Sequence, residues 1–263
     1  MKLVWITDPH LSFLARGGAR AFGASVREDH RDLDGVIVTG DIGEYSNFDE
    51  HIERFAEGAA ARVWFVLGNH DAYGGSVASA QLKAGSMTGL ARWLPGVSPV
   101  PIGDGALLVG HDGFYDGRHG VGARSPVFLS DFLYIEELRV GEGVLLDRIQ
   151  RLADRAAVEA GERLEVAIAS SPRRLVFATH VPPFREAAWH AGVTSNGDWL
   201  PWMTSKVMGD MLLVKALAHP EIQFEVLCGH THGSGEASLA KNLLVRTGDA
   251  EYRFPRVCGV VAA

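Results

Sequence analysis

Five short apolar runs in this chain end in the same kind of chemistry. KLVWIT (2–7), GVIVTG (35–40), RVWFVLG (62–68), RLVFAT (174–179) and QFEVLCG (223–229) are rich in β-formers, and each gives way at its C-terminal end to Asp, Asn or His. The tails read TDPH, GDIGE, GNHD, HVPPF and GHTH. Such short apolar runs predict buried strands. Open α/β sheets build their sites at the carboxyl ends of strands, which is where these polar groups collect.

The segments between the runs complete the pattern. Phe48, Ile52 and Phe55 recur at a helical spacing, and 76–94 is predicted helical with Ser76 as N-cap after two glycines. SPVPI and ALLVGH, split by Gly103-Asp104-Gly105, predict a hairpin. Helix is predicted over 131–169, with Gly141, Gly143 and Gly161 as interruptions, and over 205–218. EASLA and NLLVRTG predict a second hairpin around Lys241-Asn242, and 256–262 a last strand. The Gly- and Arg-containing stretch after the first run, and the polar segment at 24–33, are left unassigned. Alternating strand and helix imply parallel pairing through βαβ crossovers, and the later hairpins imply antiparallel additions. The expectation is a mixed-sheet α/β fold. No Pro/Ser-rich linker, charge block or fixed-period repeat divides the chain, so residues 1–263 are expected to form one domain.

Net charge is −7, and no basic cluster exceeds short pairs such as Arg173-Arg174. That argues against a nucleic acid polymer as partner and leaves a small phosphorylated molecule open. Cys228 and Cys258 lie in apolar stretches and read as small buried hydrophobes rather than a disulfide framework. No run has the length of a signal segment or a bilayer span, so a cytoplasmic protein without a membrane partner is expected.

In extended backbone, residues i and i+2 point to the same side with Cα atoms roughly 6.6 Å apart. Asp8/His10 and His230/His232 have this spacing, so each pair is expected to present two donors to one pocket. Carboxylate, imidazole and amide oxygen suit Mn, Fe, Zn, Co or Ni and fit poorly with a thiolate-rich structural zinc site. Asp8, His10, Asp41, Asn69, His180, His230 and His232 are too many donors for one tetrahedral ion. Two metals sharing a bridging carboxylate, at a separation of roughly 3.5–4 Å, use them naturally.

Taken in order, DPH, GD, GNHD, H and GHTH resemble the calcineurin-like metallophosphoesterases, over the span from Asp8 to His232. The resemblance implies a four-layer αββα sandwich with a binuclear centre. It implies Asp8, His10, Asp41 and His232 on one metal, and Asp41, Asn69, His180 and His230 on the other, with Asp41 bridging. The implied activity is hydrolysis of a phosphodiester or phosphomonoester of a small molecule by a metal-activated bridging hydroxide. Two divalent ions, offset by two aspartates and that hydroxide, leave one positive charge to draw in an anionic phosphoryl group. The resemblance also implies that His70 lies beside the leaving group as acid or charge stabiliser, with Glu44 orienting it. Asp71 is expected to fix the loop. GDIGEYS and GNHD depart from the GDxxDRG and GNHE of Ser/Thr protein phosphatases, with Tyr45 where a phosphate-binding arginine would stand. The pattern is closer to the small phosphodiesterase and phosphomonoesterase branches, including class III cyclic nucleotide phosphodiesterases.

Two loops remain. GHDGFYDGRHGVGARSP (110–126) is expected to border the site, with Arg118, His119 and Arg124 as candidates to bind substrate, the arginines clamping phosphate. The 185–203 segment holds Trp189, His190, Trp199 and Trp202, which either wall an organic group or pack the loop onto the domain. The alternatives to a phosphoesterase of small molecules are a nuclease on the same scaffold, which calls for a basic groove, and a non-catalytic metal-binding interaction module of the retromer-subunit kind. The presence of every ligand type favours catalysis.

Overall fold

The structure, a computed structural model, describes residues 1–262. Its strands are β1 (Lys2–Ile6), β2 (Gly35–Thr39), β3 (Arg62–Val66), β4 (Ala91–Trp93), β5 (Val100–Gly103), β6 (Ala106–Gly110), β7 (Arg174–Ala178), β8 (Trp189–His190), β9 (Val193–Thr194), β10 (Gln223–Cys228), β11 (Gly235–Ala240), β12 (Leu243–Thr247) and β13 (Gly259–Ala262). The helices are α1 (Gly18–Asp29), α2 (Phe48–Ala59), α3 (Val77–Gly85), α4 (Asp131–Tyr134), α5 (Glu142–Ile168), α6 (Leu200–Met203) and α7 (Lys206–Ala218).

Two mixed sheets result, in the orders β13-β1-β2-β3-β4 and β11-β12-β10-β7-β6-β5, with β8-β9 as a separate small hairpin. Within the first sheet β1 to β4 run parallel and β13 closes the edge antiparallel to β1. Within the second, β6, β7, β10 and β12 run parallel, with the predicted hairpins β5-β6 and β11-β12 supplying antiparallel edges.

Each central strand is apolar on both faces because it is covered on both. Leu3 and Trp5 of β1 face inward with Ile37, Trp64, Val176 and Leu227, forming an apolar layer between the sheets. Val4, Ile6, Val38 and Phe65 face outward onto Phe48, Ile52 and Phe55 of α2. On the far side Phe177 and Val226 meet Ala160 and Leu164 of α5 and Leu212 of α7. The layers therefore run helix, sheet, sheet, helix. A fully buried side chain such as Phe65 contributes roughly 1.5–3 kcal/mol. Among the described residues, no helix is long and apolar enough to cross a membrane.

Three elements differ from expectation. Helix α1 occupies part of the stretch left unassigned from the sequence. Its glycines weaken the helical pattern yet serve the packing: a Cβ at Gly23 would collide with the Phe55 carbonyl, and one at Gly58 with the Arg20 carbonyl, so α1 and α2 cross backbone to backbone. The helix expected over 76–94 stops at Gly85, and Ala91–Trp93 instead pairs in parallel with β3. Its start is as expected, with the Ser76 hydroxyl accepting from the Ser79 amide at 2.9 Å. The helix expected over 131–169 is two, because Gly141 is extended and caps α5, whereas Gly143 and Gly161 are absorbed within it.

The α1–α2 crossing supplies a stability test. Gly23→Ala is expected to cost about 1–3 kcal/mol through overpacking, read as a lower urea midpoint with an unchanged slope.

Candidate metal centre

The parallel arrangement brings the carboxyl ends of β1, β2, β3, β7 and β10 to one edge of the molecule, and the loops that leave them carry all seven expected ligands. Five of the seven have left-handed backbones: Asp8 (φ 45°), His10 (41°), Asp41 (52°), His230 (69°) and His232 (55°). The expectation that the two i, i+2 pairs work from extended backbone is thereby corrected. The chain turns sharply at each of these residues, and His230 and His232 point into different groups of donors.

In the first group, single donor atoms of Asp8, His10, Asp41 and His232 all lie within 4.8 Å of one another. His10 Nε2 is 3.2 Å from His232 Nε2 and 3.8 Å from Asp41 Oδ2, and His232 Nε2 is 3.6 Å from Asp8 Oδ1. In the second group, Asn69 Oδ1 is 3.0 Å from both His180 Nε2 and His230 Nδ1, and the two nitrogens are 3.2 Å apart. His180 Nε2 is 3.4 Å from Asp41 Oδ1. Asp41 thus stands between the groups and turns one carboxylate oxygen to each.

Hydrogen bonding shows what the second group lacks. His180 Nδ1 lies 2.9 Å from the Thr39 carbonyl, and His230 Nε2 lies 2.9 Å from the Trp202 carbonyl. A carbonyl only accepts, so those nitrogens carry the protons, and in neutral rings Nε2 of His180 and Nδ1 of His230 are lone pairs. The Asn69 amide donates to Asp131 Oδ1 at 3.0 Å, which turns its oxygen inward. Three acceptors converge at one point with no proton of their own to share. A cation fits that arrangement.

The charges agree. Burial opposes the ionisation of Asp41, but the imidazoles of His180, His70, His10 and His230 outweigh it and hold the carboxyl well below its ordinary range. Burial pushes His230 down to about 4, with His180 adding to the effect. Burial also lowers His10 to about 4 against the opposing pull of Asp41 and Asp8. For His180 burial acts downward too, but the carboxylates of Asp41 and Asp8 prevail and raise it. Neutral imidazole, the form that binds a metal, is thus favoured at His10 and His230, while His180 is drawn toward its charged form by the carboxylates that share the site.

A surrounding set of residues holds these donors. Asp71 accepts from the backbone amides of Ile42, Gly43 and Gly68 at 3.0, 2.8 and 2.8 Å, so it fixes the loops as expected from the sequence. Asp131 is a member of this set that the sequence does not announce. It takes the Tyr73 hydroxyl at 2.5 Å and the Tyr115 hydroxyl at 2.8 Å besides Asn69, and the Tyr115 ring stacks on His230 at 6.0 Å. No motif surrounds Asp131, so only the fold reveals it. His70 lies at the mouth, with its Nε2 3.9 Å from Asp41 Oδ2 and its ring stacked on Tyr73 at 4.3 Å.

Four other candidates stand elsewhere. Glu44 is exposed: its carbonyl accepts from Asn47 and Phe48 at the start of α2, and no hydrogen bond or ion pair joins its carboxylate to His70 among the described residues. Arg118 pairs with Asp154 at 2.7 Å and Asp116 at 3.4 Å, which draws it toward α5. His119 Nδ1 is 3.0 Å from the Thr204 hydroxyl, and Arg124 is exposed. None of the four lines the two cavities over the metal ligands. Those cavities, of about 500 and 260 Å³, share Met203, His230, His232 and Tyr252. From the 185–203 segment, His190 and Trp199 reach the larger one, whereas Trp202 is buried and Trp189 packs against Gly235.

Comparison with known proteins gives a consistent picture. The sequence model of a family described as calcineurin-like phosphoesterase matches residues 1–234. Among solved structures, a dimetal phosphatase from Danio rerio is similar with a TM-score of 0.58 at 16% identity, over 97% of this chain and 89% of that one. A phosphopantetheinyl hydrolase from Mycobacterium tuberculosis is similar with a TM-score of 0.62 at 15% identity, over 96% and 90%. A protein of Thermus thermophilus follows with a TM-score of 0.52 at 13% identity, over 94% and 88%. At these identities the likeness is one of fold. No curated protein sequence matches the chain.

Asp131 is the support most open to test. Asp131→Ala strands the donors of Tyr73, Tyr115 and Asn69, which is expected to cost about 1–3 kcal/mol in chemical denaturation. Released from its anchor, Asn69 is expected to weaken manganese binding by roughly 10–100-fold in an equilibrium titration.

Proposed function

Because the chain belongs to the calcineurin-like phosphoesterase family, we propose that it is a hydrolase that cleaves a phosphoester of a small molecule at a pair of metal ions. The observation that carries this reading is the meeting of Asn69 Oδ1, His180 Nε2 and His230 Nδ1, acceptors without a proton to share, beside a second group that includes two carboxylates. On this reading Asp8, His10, Asp41 and His232 would hold one ion and Asn69, His180 and His230 the other, with Asp41 shared between them. Nitrogen and oxygen donors of this kind suit Mn, Fe, Zn, Ni or Co. The names of two similar folds, a dimetal phosphatase and a phosphopantetheinyl hydrolase, accord with it.

Bound there, the ions would supply Lewis acidity for the phosphoryl oxygens and lower the pKa of water far enough to give a nucleophile near neutral pH. The chain's own residues do the rest. The Thr39 and Trp202 carbonyls keep His180 and His230 in the tautomers that aim lone pairs inward. Asp131 keeps the Asn69 oxygen on the same point. His70, one-fifth exposed and held by Tyr73 and Asp41, is placed to give a proton to the departing oxygen or to steady its charge. The orienting role expected of Glu44 passes to Tyr73.

A nuclease is the weaker reading. Net charge is −7, and no lysine or arginine among the described residues lines either cavity. We also read the chain as one domain, since both sheets contribute to the layer around Trp5, Trp64 and Leu227 and neither buries its inner face alone.

Asp41→Asn and His230→Ala are each expected to abolish manganese-dependent hydrolysis of bis(p-nitrophenyl) phosphate and to lower metal content by elemental analysis. His70→Ala is expected to keep its metal and lose roughly 10²–10⁴-fold in rate. Full activity in metal-stripped Asp41→Asn after manganese is returned would overturn the bridging assignment.

A further inference from the structure

The two cavities above the metal ligands adjoin one another. Tyr252 and Met203 belong to both, as do His230 and His232. The Tyr252 ring lies 4.4 Å from His10, 5.1 Å from His232 and 5.1 Å from Phe13, and so overhangs the first group of ligands. Its loop is held by Arg256, which pairs with Asp249 at 3.3 Å and Glu251 at 3.0 Å. Tyr252 lies beyond residue 234, where the family match ends.

The two sides differ in shape and share one property. The larger cavity is walled by Val193, Thr194, Ser195, Asn196 and Trp199, and the side chains of Val193 and Trp199 are largely open to it and to solvent. The smaller has Asp41, Asn69 and His70 at its inner end and Tyr73, Leu129, Ser130, Asp131 and Tyr134 beyond them, with the Tyr73 and Tyr134 rings 5.3 Å apart. Neither offers a cationic side chain other than histidine. A polyphosphate or a nucleotide triphosphate would find nothing to neutralise it beyond the metals.

We propose that the substrate is a phosphodiester with two uncharged, largely apolar arms, one seated in each cavity, and that the arm in the smaller cavity leaves. This rests on the phosphoesterase reading above. Charge supports a diester. Two divalent ions set against Asp8, Asp41 and one ionised water leave one positive charge, which a diester anion balances and a monoester dianion exceeds. The Asp131 carboxylate on the smaller wall disfavours the second negative charge further. Shape supports two arms, since the smaller cavity extends from Asp41, Asn69 and His70 out to Tyr73 and Tyr134, while the larger opens from His230 and His232 toward Val193 and Trp199. Aromatic walls favour flat or apolar groups. In the reaction a water oxygen bonds to phosphorus, and the bond from phosphorus to the oxygen of the smaller arm breaks. That oxygen leaves as an alcohol with a proton by way of His70, and the larger arm remains as a phosphomonoester.

Three substrates with the same leaving group test this on the manganese-loaded protein: bis(p-nitrophenyl) phosphate, methyl p-nitrophenyl phosphate and p-nitrophenyl phosphate. The expected kcat/KM falls at least tenfold from the first to the second, and p-nitrophenyl phosphate is the poorest. Trp199→Ala and, on an exposed position, Val193→Glu are each expected to bring the ratio of the two diesters toward one. A crystal soaked with diphenyl phosphate is expected to show one ring against Trp199 and the other between Tyr73 and Tyr134. No turnover of any of the three by metal-loaded protein would sink the phosphoesterase reading itself. Turnover with a preferred monoester, equal diesters, or rings outside the two cavities would leave that reading standing and overturn this one.

Discussion

Three atoms that can only accept hydrogen bonds when both imidazoles are neutral meet within 3.2 Å in the interior, and the rest of the site is arranged around that meeting. In isolation, lone pairs of Asn69, His180 and His230 so close together repel. Rotating any of them away would break a bond on its far side, to Asp131, to the Thr39 carbonyl or to the Trp202 carbonyl. The far-side bonds are therefore what maintains the near-side conflict, and a cation is what resolves it. Carbonyl partners make this arrangement firm, because a carbonyl cannot exchange roles with the ring it binds. The first group works differently. It relies on the carboxylates of Asp8 and Asp41, and His10 Nδ1 is buried without a partner.

Holding that geometry has a cost borne by the fold. A non-glycine residue in a left-handed or similarly sparse conformation costs on the order of 1–3 kcal/mol, and five of the expected ligands are of this kind. They persist because every one follows a strand buried on both faces, whose end has little freedom to move. The loops also crowd one another. A Cβ at Gly229 would collide with Thr7 and Asp8, one at Gly68 with Asp41, and one at Gly40 with His180. Glycine at these places is a matter of close approach between ligand loops as much as of turning. At Gly40, whose φ is 89°, both reasons hold.

What could be read from the sequence follows from how local each signal is. Strands such as Lys2–Ile6 and Arg62–Val66 were legible because continuous burial writes a continuous apolar run. The layered α/β fold and the family were legible because five strand ends carry their polar residues immediately afterward. Helix α1 was not, because its contact with α2 is made by glycines, which weaken the very pattern that marks a helix. The spacing of His230 and His232 suggests a shared direction, whereas left-handed turns send the rings to separate groups. Asp131 and Tyr115 support Asn69 and His230 from sequence positions far from either, and nothing nearby distinguishes them from any other Asp or Tyr.

Arg118 shows why the outer parts of such a site resist reading. A glycine-rich loop with arginines near a phosphoryl site invites the idea of a clamp. Within the fold, the Arg118 guanidinium meets Asp116 of its own loop and Asp154 of α5, both in the same chain and therefore at a local concentration no dissolved ligand approaches. An arginine satisfied twice by its own protein has little reason to reach for a substrate. The walls of the two cavities are left to partly exposed side chains such as Trp199, Val193 and Tyr134, in segments that hold none of the expected ligands. The same strand ends can then serve different molecules, since the donors fix the chemistry at phosphorus while unrelated loops decide what is attached to it.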